Sequence, residues 1–363
     1  MELYIAGGCG EHGRNCFYLW DRNDAYLIDC GLIAGKKDNL PRLSLKQMNK
    51  IRAVFLTHSH TDHTGALPWL RRQGYDGPVV ATSPTLEQLP FELKNTIRME
   101  DICERNVKGH MQDLALAWGL SGHCAGSIWI QLEWRNKTVL FSGDYCEQSR
   151  IYLCDALRGK RADLAVLDCA YGHDCVNHAD DSSELVYSVQ NLLKRASLIF
   201  LPVPKYGRGL DLLLLLHEAM PKLQFYGDPH FCQQTKEAVC GLEWYQRIPS
   251  QFPTWLNQDM DAVQGIVFLS DPQLRGASGI RAKNLLKQGA LGLMTGTPDP
   301  GSFSAELLQN GQMEFCRYPV HLDAQQCQML MGKNDFGIVV PYHSPEFACG
   351  PYIKIGSRCE EFK

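Results

Sequence analysis

The segment Thr57-His58-Ser59-His60-Thr61-Asp62-His63 constrains this chain more than any other. It follows an apolar run, Ala53-Val54-Phe55-Leu56, whose β-branched and aromatic content reads as a buried strand. The histidines therefore lie on the loop that leaves the strand. Three imidazoles and a carboxylate in so short a stretch suit a borderline metal such as zinc. His58 and His60 alternate, so an extended loop points both to one side. Asp62 and His63 then turn toward a neighbouring position, and the cluster offers two ligands to each of two ions. The competing reading is a polar surface loop with chance histidines. Four donors at this spacing, directly after a buried strand, disfavour it.

At 363 residues the chain is comfortable for two domains, and 45% hydrophobic content is enough for sizeable cores. A net charge of −4 gives no global basic signal for nucleic acid, though it is compatible with a local basic groove. The 15 cysteines include no C-x-x-C pair. Their scatter matches neither a zinc ribbon nor a small disulfide scaffold, so a reduced, cytoplasmic setting is the simpler expectation. The start, Leu3-Tyr4-Ile5, runs straight into a strand pattern without signal-peptide character. No charge-free apolar stretch reaches the roughly 18 residues of a membrane span, so no membrane partner is expected.

The pattern His-x-His-x-Asp-His resembles the signature of the metallo-β-lactamase fold at every position. That resemblance implies further ligands downstream, and two follow in the right order. Gly122-His123-Cys124-Ala125-Gly126-Ser127 is a Gly-His-x-x-Gly-Ser turn, and Ser142-Gly143-Asp144 ends a strand pattern. By resemblance, His58, His60 and His123 hold one ion, Asp62 and His63 belong to the other, and Asp144 bridges the two. A shared carboxylate offsets the repulsion between two cations, and a water between them is acidified toward hydroxide. The expected cofactor is two Zn²⁺, with Mn²⁺ as the alternative. Asp29 ends the strand Ala25-Tyr26-Leu27-Ile28 and reads as a carboxylate orienting a ligand histidine, or else as a turn cap.

Asp168-Cys169-Ala170-Tyr171-Gly172 resembles the first extra motif of the β-CASP subfamily, a strand ending in an acid and a Tyr-Gly turn. Residues 7–16 resemble its Gly-rich opening. Tyr206-Gly207-Arg208 and Gly296–Ser302 resemble its later turns, and Val320-His321-Leu322-Asp323 and Tyr342-His343 its last two motifs. The resemblance implies a nuclease. His343 would complete the second metal site, and Asp62, Asp168 and His321 would be the catalytic groups. His321, held by Asp168, would act as general acid toward the leaving oxygen. The implied partner is single-stranded RNA (or DNA), with a histidine in the third motif tilting the substrate to RNA. Lys205, Arg208 and Ser302 are the expected substrate contacts.

The expected fold is α/β: a four-layer αββα sandwich over 1–170, completed by 306–363, with an α/β β-CASP-like domain inserted at 171–305. Residues 84–110 read as helical and charged. Asp168 is one methylene shorter than the more usual Glu of its motif, which leaves its reach to His321 for the fold to decide. Six histidines, His12, His110, His173, His178, His217 and His230, take no role, although His12 and His173 sit beside motif turns. A homo-oligomer is compatible with the sequence. Two other functions stay open: hydrolysis of a small phosphodiester or ester on the same metals, and a non-cleaving scaffold subunit.

Overall fold

The computed structural model describes residues 1–257 and 262–356. They form two compact units, the first being Met1–Glu147, Cys154–Cys175 and His321–Lys363, the second Gln148–Leu153 and Val176–Val320.

The first unit contains two sheets. One runs in the order Tyr352–Lys354, Glu2–Gly7, Cys16–Asp21, Asp24–Ile28, Ile51–Phe55, Val79–Ala81, Thr96–Arg98. The other runs Asp335–Tyr342, Arg161–Asp168, Lys137–Phe141, Ile128–Trp134, Leu114–Leu120, Gly109–Met111. Near-continuous apolar runs, with successive side chains pointing to opposite sides, give each sheet two apolar faces. Phe17 reaches across to Phe141 and Tyr342, at ring-centre distances of 5.8 and 5.3 Å, so the inner faces pack on each other. On the outer face of the first sheet, Tyr18, Leu27 and Val54 share a core with Leu67 and Leu70 of the helix Leu67–Arg72. On the outer face of the second, Leu140, Ala165 and Leu167 share one with Cys327 and Leu330 of the helix Ala324–Gly332. The result is the expected helix–sheet–sheet–helix sandwich.

Strand direction then gathers the functional residues. Lys137–Phe141, Arg161–Asp168 and Asp335–Tyr342 are mutually parallel, and Asp168 lies opposite Tyr342. Their C-terminal ends therefore share one edge of the sheet. Ile128, which starts an antiparallel neighbour at that same edge, donates its N–H to the carbonyl of Thr57 at 2.9 Å. This bond ties the end of the Ile51–Phe55 strand, and the histidine loop after it, to the edge where Asp144, Asp168 and His343 emerge.

The second unit is built on a six-stranded, all-parallel sheet in the order Leu256–Asn257, Phe225–Gly227, Gly265–Leu269, Leu198–Pro202, Leu291–Met294, Met313–Phe315. Phe200, Val267, Ala282, Leu285 and Leu307 are among its core side chains. Residues 306–320 fall in this unit because Met313–Phe315 extends its sheet beside Leu291–Met294.

Two expectations fail locally. Residues 84–110 form only the short helices Ser83–Glu87 and Met99–Ile102 and the strands Thr96–Arg98 and Gly109–Met111. Pro90 interrupts a helix there, and Asn95 and Asn106 take left-handed backbone at φ 55° and 63°. The expectation of reduced thiols is also incomplete, because a disulfide joins Cys9 to Cys349 across 340 residues of sequence, a separation no local spacing reveals. Among the described residues, no helix is long and apolar enough to cross a membrane.

Candidate metal centre

Every sequence-predicted ligand lies in the first unit, and they converge on Asp144. One carboxylate oxygen, Oδ2, lies 3.5 Å from His58 Nε2 and 3.7 Å from His123 Nε2. His60 Nδ1 is 3.2 Å from His123 Nε2 and closes that group. The other oxygen, Oδ1, lies 3.2 Å from both His63 Nε2 and His343 Nδ1. Asp62 Oδ2 is 3.0 Å from His343 Nε2. The donor atoms thus fall into two groups, His58–His60–His123–Asp144 and Asp62–His63–Asp144–His343, each within 4.8 Å of one another and sharing Asp144.

Local backbone explains the convergence. Gly31 packs so closely that an added Cβ would lie 1.6 Å from the carbonyl oxygen of Asp62, so no side chain fits there. His343 takes φ 72°, which breaks strand alternation after Tyr342 and turns its ring into the site. Its N–H donates to Gly8 O at 2.7 Å, which holds that conformation.

Asp29 is buried behind the cluster. Its Oδ1 accepts from Thr57 N at 2.8 Å, and its Oδ2 accepts from Thr57 Oγ1 at 2.8 Å and lies 2.7 Å from His63 Nδ1. A proton on Nδ1 leaves Nε2 as the electron-pair donor facing Asp144. Asp168 lies 3.0 Å from His321 Nδ1, so the shorter acid does reach the histidine. Its oxygens also accept from Tyr145 N at 2.9 Å and Ala170 N at 3.1 Å. Burial, then the neighbouring Asp144 carboxylate, push Asp168 up to about 7.

The charges suit a cation. Burial opposes ionisation of Asp144, but His343, His63, His321 and His58 outweigh it and hold the carboxyl well below its ordinary range. Burial, then the adjacent His63, push His58 well down, which keeps it neutral, as a metal ligand must be. His58 Nε2 is buried without a hydrogen-bond partner. An orphaned imidazole nitrogen beside two further imidazoles and a carboxylate is costly alone and is satisfied by a divalent ion. The residues present therefore fit a divalent metal.

A family model described as the metallo-beta-lactamase superfamily matches residues 9–193. The chain belongs to the metallo-β-lactamase superfamily. Among curated relatives, it is 32% identical over 250 residues to Transcription termination factor FttA of Methanothermobacter thermautotrophicus, covering 60% of this chain and 39% of that protein. It is 27% identical over 272 residues to Probable RNase MJ4 of Methanocaldococcus jannaschii, covering 65% of this chain and 61% of the relative. A ribonuclease among the names of these relatives agrees with the β-CASP resemblance of the sequence. The chain spans 39% of the length of one and 61% of the other. A crystal structure of a protein of unknown function from Enterococcus faecalis V583 shares the fold, with a TM-score of 0.58 at 13% identity over 95% of this chain and 94% of that one.

The metallo-β-lactamase sandwich also holds site residues to which the motifs assigned no role. Tyr342 donates its hydroxyl to Asp144 Oδ1 at 2.9 Å. Asn15 Nδ2 lies 2.7 Å from His63 Nε2 and 3.4 Å from Asp62 Oδ2. His12 stacks on His343. All three lie inside stretches matched to motifs, residues 7–16 and Tyr342-His343, where the resemblance assigned them no role. The predicted substrate contacts all lie in the second unit. Arg208 donates from Nη1 to Thr295 O at 2.8 Å and Tyr318 O at 3.5 Å, and so ties two loops together. Ser302 caps the helix Phe303–Gln309 by accepting from Ala305 N. Lys205 is exposed.

Proposed function

We propose that the chain is a dinuclear metal-dependent phosphodiester hydrolase that cleaves single-stranded RNA. The observation that carries this reading is the shared carboxylate: Asp144 presents one oxygen to each donor group, with the Asp168–His321 pair beside it. Two divalent ions, Zn²⁺ or Mn²⁺, would supply an acidified water and offset the charge gathering on phosphate. His58, His60 and His123 would hold one, and Asp62, His63 and His343 the other, with Asp144 common to both.

The protein's own groups do the rest. Asp29 fixes His63 in the tautomer that points Nε2 inward. Tyr342 holds Asp144 so that both its oxygens stay aligned. Asp168 accepts from His321 Nδ1 and orients the ring. With Nδ1 so engaged, the proton for the leaving ribose oxygen comes from Nε2 of the imidazolium. A sugar alkoxide is a poor leaving group, so this proton accounts for a large part of the rate. Lys205 is the exposed cation among the proposed substrate contacts. The name of Probable RNase MJ4 supports RNA as the polymer.

The test is cleavage of end-labelled single-stranded RNA, with matched DNA, by wild type and His321→Ala loaded with Zn²⁺ or Mn²⁺. Products that vanish in His321→Ala at unchanged metal content support the reading. Metal-loaded wild type that leaves both polymers intact refutes it.

A further inference from the structure

We propose that His12 and Tyr171 are a pair of base-stacking rings that bracket the metal centre and take the nucleobases on either side of the cleaved phosphate. This rests on the single-stranded RNA reading above and says how that strand is gripped.

Four rings form an unbroken row through the site. Tyr171 meets His321 edge-on at 5.5 Å between ring centres, and His321 meets His343 edge-on at 5.2 Å. His343 stacks on His12 at 4.3 Å with the planes 14° apart. The two inner rings are the buried general acid and the buried metal-side histidine. The two outer rings are different: His12 is exposed and Tyr171 is half-buried. The row therefore begins and ends in rings that solvent reaches.

His12 is held as a platform should be. Its Nδ1 donates to the carbonyl of His343 at 2.9 Å. A carbonyl can only accept, so Nδ1 carries the proton and the ring cannot spin away. The residues on either side of its turn are pinned: Glu11 and Arg14 are 5% and 1% exposed and pair with each other at 2.7 Å. Gly10 N donates to Phe347 O at 2.9 Å on the far side of the same turn. One face of the imidazole is covered by His343. An exposed ring fixed on a rigid turn pays its ordering cost before any ligand arrives. The main chain of Tyr171 is held through its N–H to Leu322 O at 3.2 Å, and its ring rests edge-on against His321.

Stacking is the recognition this arrangement offers. A single strand presents unstacked bases, each with a π-face, and aromatic or histidine rings bind them with little regard to sequence. A charged groove alone would grip the backbone without setting where a phosphate stops. Two rings flanking the centre set the register, because a base caught on each side leaves the intervening phosphate over Asp144.

The experiment uses full-length, metal-loaded protein and RNAs carrying one abasic nucleotide at successive positions around the mapped cleavage site. Removing the base that stacks on His12 is expected to lower wild-type kcat/KM roughly 5- to 150-fold, mostly through KM. His12→Ala suffers that loss on intact RNA and none further on the matching abasic RNA. His12→Phe, which keeps the ring but loses the bond to His343 O, recovers part of the His12→Ala loss and keeps its sensitivity to the abasic position. Tyr171→Leu and Tyr171→Phe behave in the same way toward an abasic position on the opposite side. Metal content is measured for each. Wild type indifferent to every flanking abasic position overturns the stacking pair, as do losses from variant and abasic site that simply multiply. Wild type that cleaves no intact RNA overturns the nuclease reading and the stacking pair with it.

Discussion

Replacing Arg14 by Met tests whether the turn beside the metal centre is held by its buried ion pair. Arg14 is 1% exposed and Glu11 5% exposed. The guanidinium donates to both carboxylate oxygens, at 2.9 Å from Nε and 2.7 Å from Nη2. Its Nη1 donates to the carbonyls of Asp38 and Leu40, at 2.9 and 3.0 Å. Met keeps most of the stem's packing and removes every donor. It strands a buried carboxylate and two carbonyls, and breaking such a pair from one side costs about 3–5 kcal/mol. Lys36 and Arg42, at 3.4 and 3.8 Å from Glu11, are more than half exposed and offset part of that, so the low end of the range is expected. Adding Glu11→Gln removes the stranded charge, so the double variant should be more stable than the sum of the two singles by about 1–3 kcal/mol. The assay is urea unfolding at neutral pH of wild type, both singles and the double. Burial raises the carboxyl pKa of Glu11, but hydrogen bonds from Arg14 outweigh it and leave it below its ordinary value. The pair's contribution is therefore complete above the ordinary glutamate pKa and drains as pH falls through the lowered one. The gap between wild type and Arg14→Met should narrow in acid. A single variant that costs under about 1 kcal/mol, or strict additivity in the cycle, would refute the reasoning.

Other outcomes follow from the same geometry. Asp29→Asn loses the carboxylate 2.7 Å from His63 Nδ1 and should weaken metal binding about 10- to 100-fold in chelator competition, with the fold intact by circular dichroism. Chelation should lower the melting temperature, because the ions bind only the folded state; at free metal about 1,000 times Kd the stabilisation is about 4 kcal/mol, and a melting point indifferent to metal concentration would contradict the site. Buried Asp211 accepts from Arg150 N at 2.6 Å, and burial pushes it up to about 6. Between the ordinary aspartate pKa and about 6 the native state binds a proton that the unfolded state lacks, so stability falls as pH rises through that window and stays lower above it. Asp211→Asn should remove this dependence, shifting stability by about 2–3 kcal/mol in its favour between pH 4 and pH 8 in denaturant titrations; parallel curves for the two proteins would exclude it.

What the sequence disclosed about the site was whatever strand ends carry. His58, His60, Asp62 and His63 are neighbours in the chain, so their spacing alone constrains their geometry. Asp144, Asp168 and His343 follow buried strands whose apolar runs are plain to read, and parallel pairing then places the ends together: Asp168 opposite Tyr342 is a register that such runs permit. Contacts made when distant loops meet were not legible. Asn15 comes within 2.7 Å of His63 because its own N–H and carbonyl bond to Asp62 O and Gly31 N, and no periodicity encodes that. Tyr342 and His343 should face opposite sides of a regular strand; both touch Asp144 only because His343 leaves the strand at φ 72°. The stretch 84–110 reads as a helix from its charge and length, but Pro90, Asn95 and Asn106 punctuate it more strongly. Residues 306–320 continue the second unit because a three-residue strand finds an open sheet edge beside Leu291–Met294, a pairing too short to announce itself. His12 combines these cases. A histidine in a glycine-rich turn has no meaning by itself, and it acquires one only when the far end of the chain brings His343 beneath its ring.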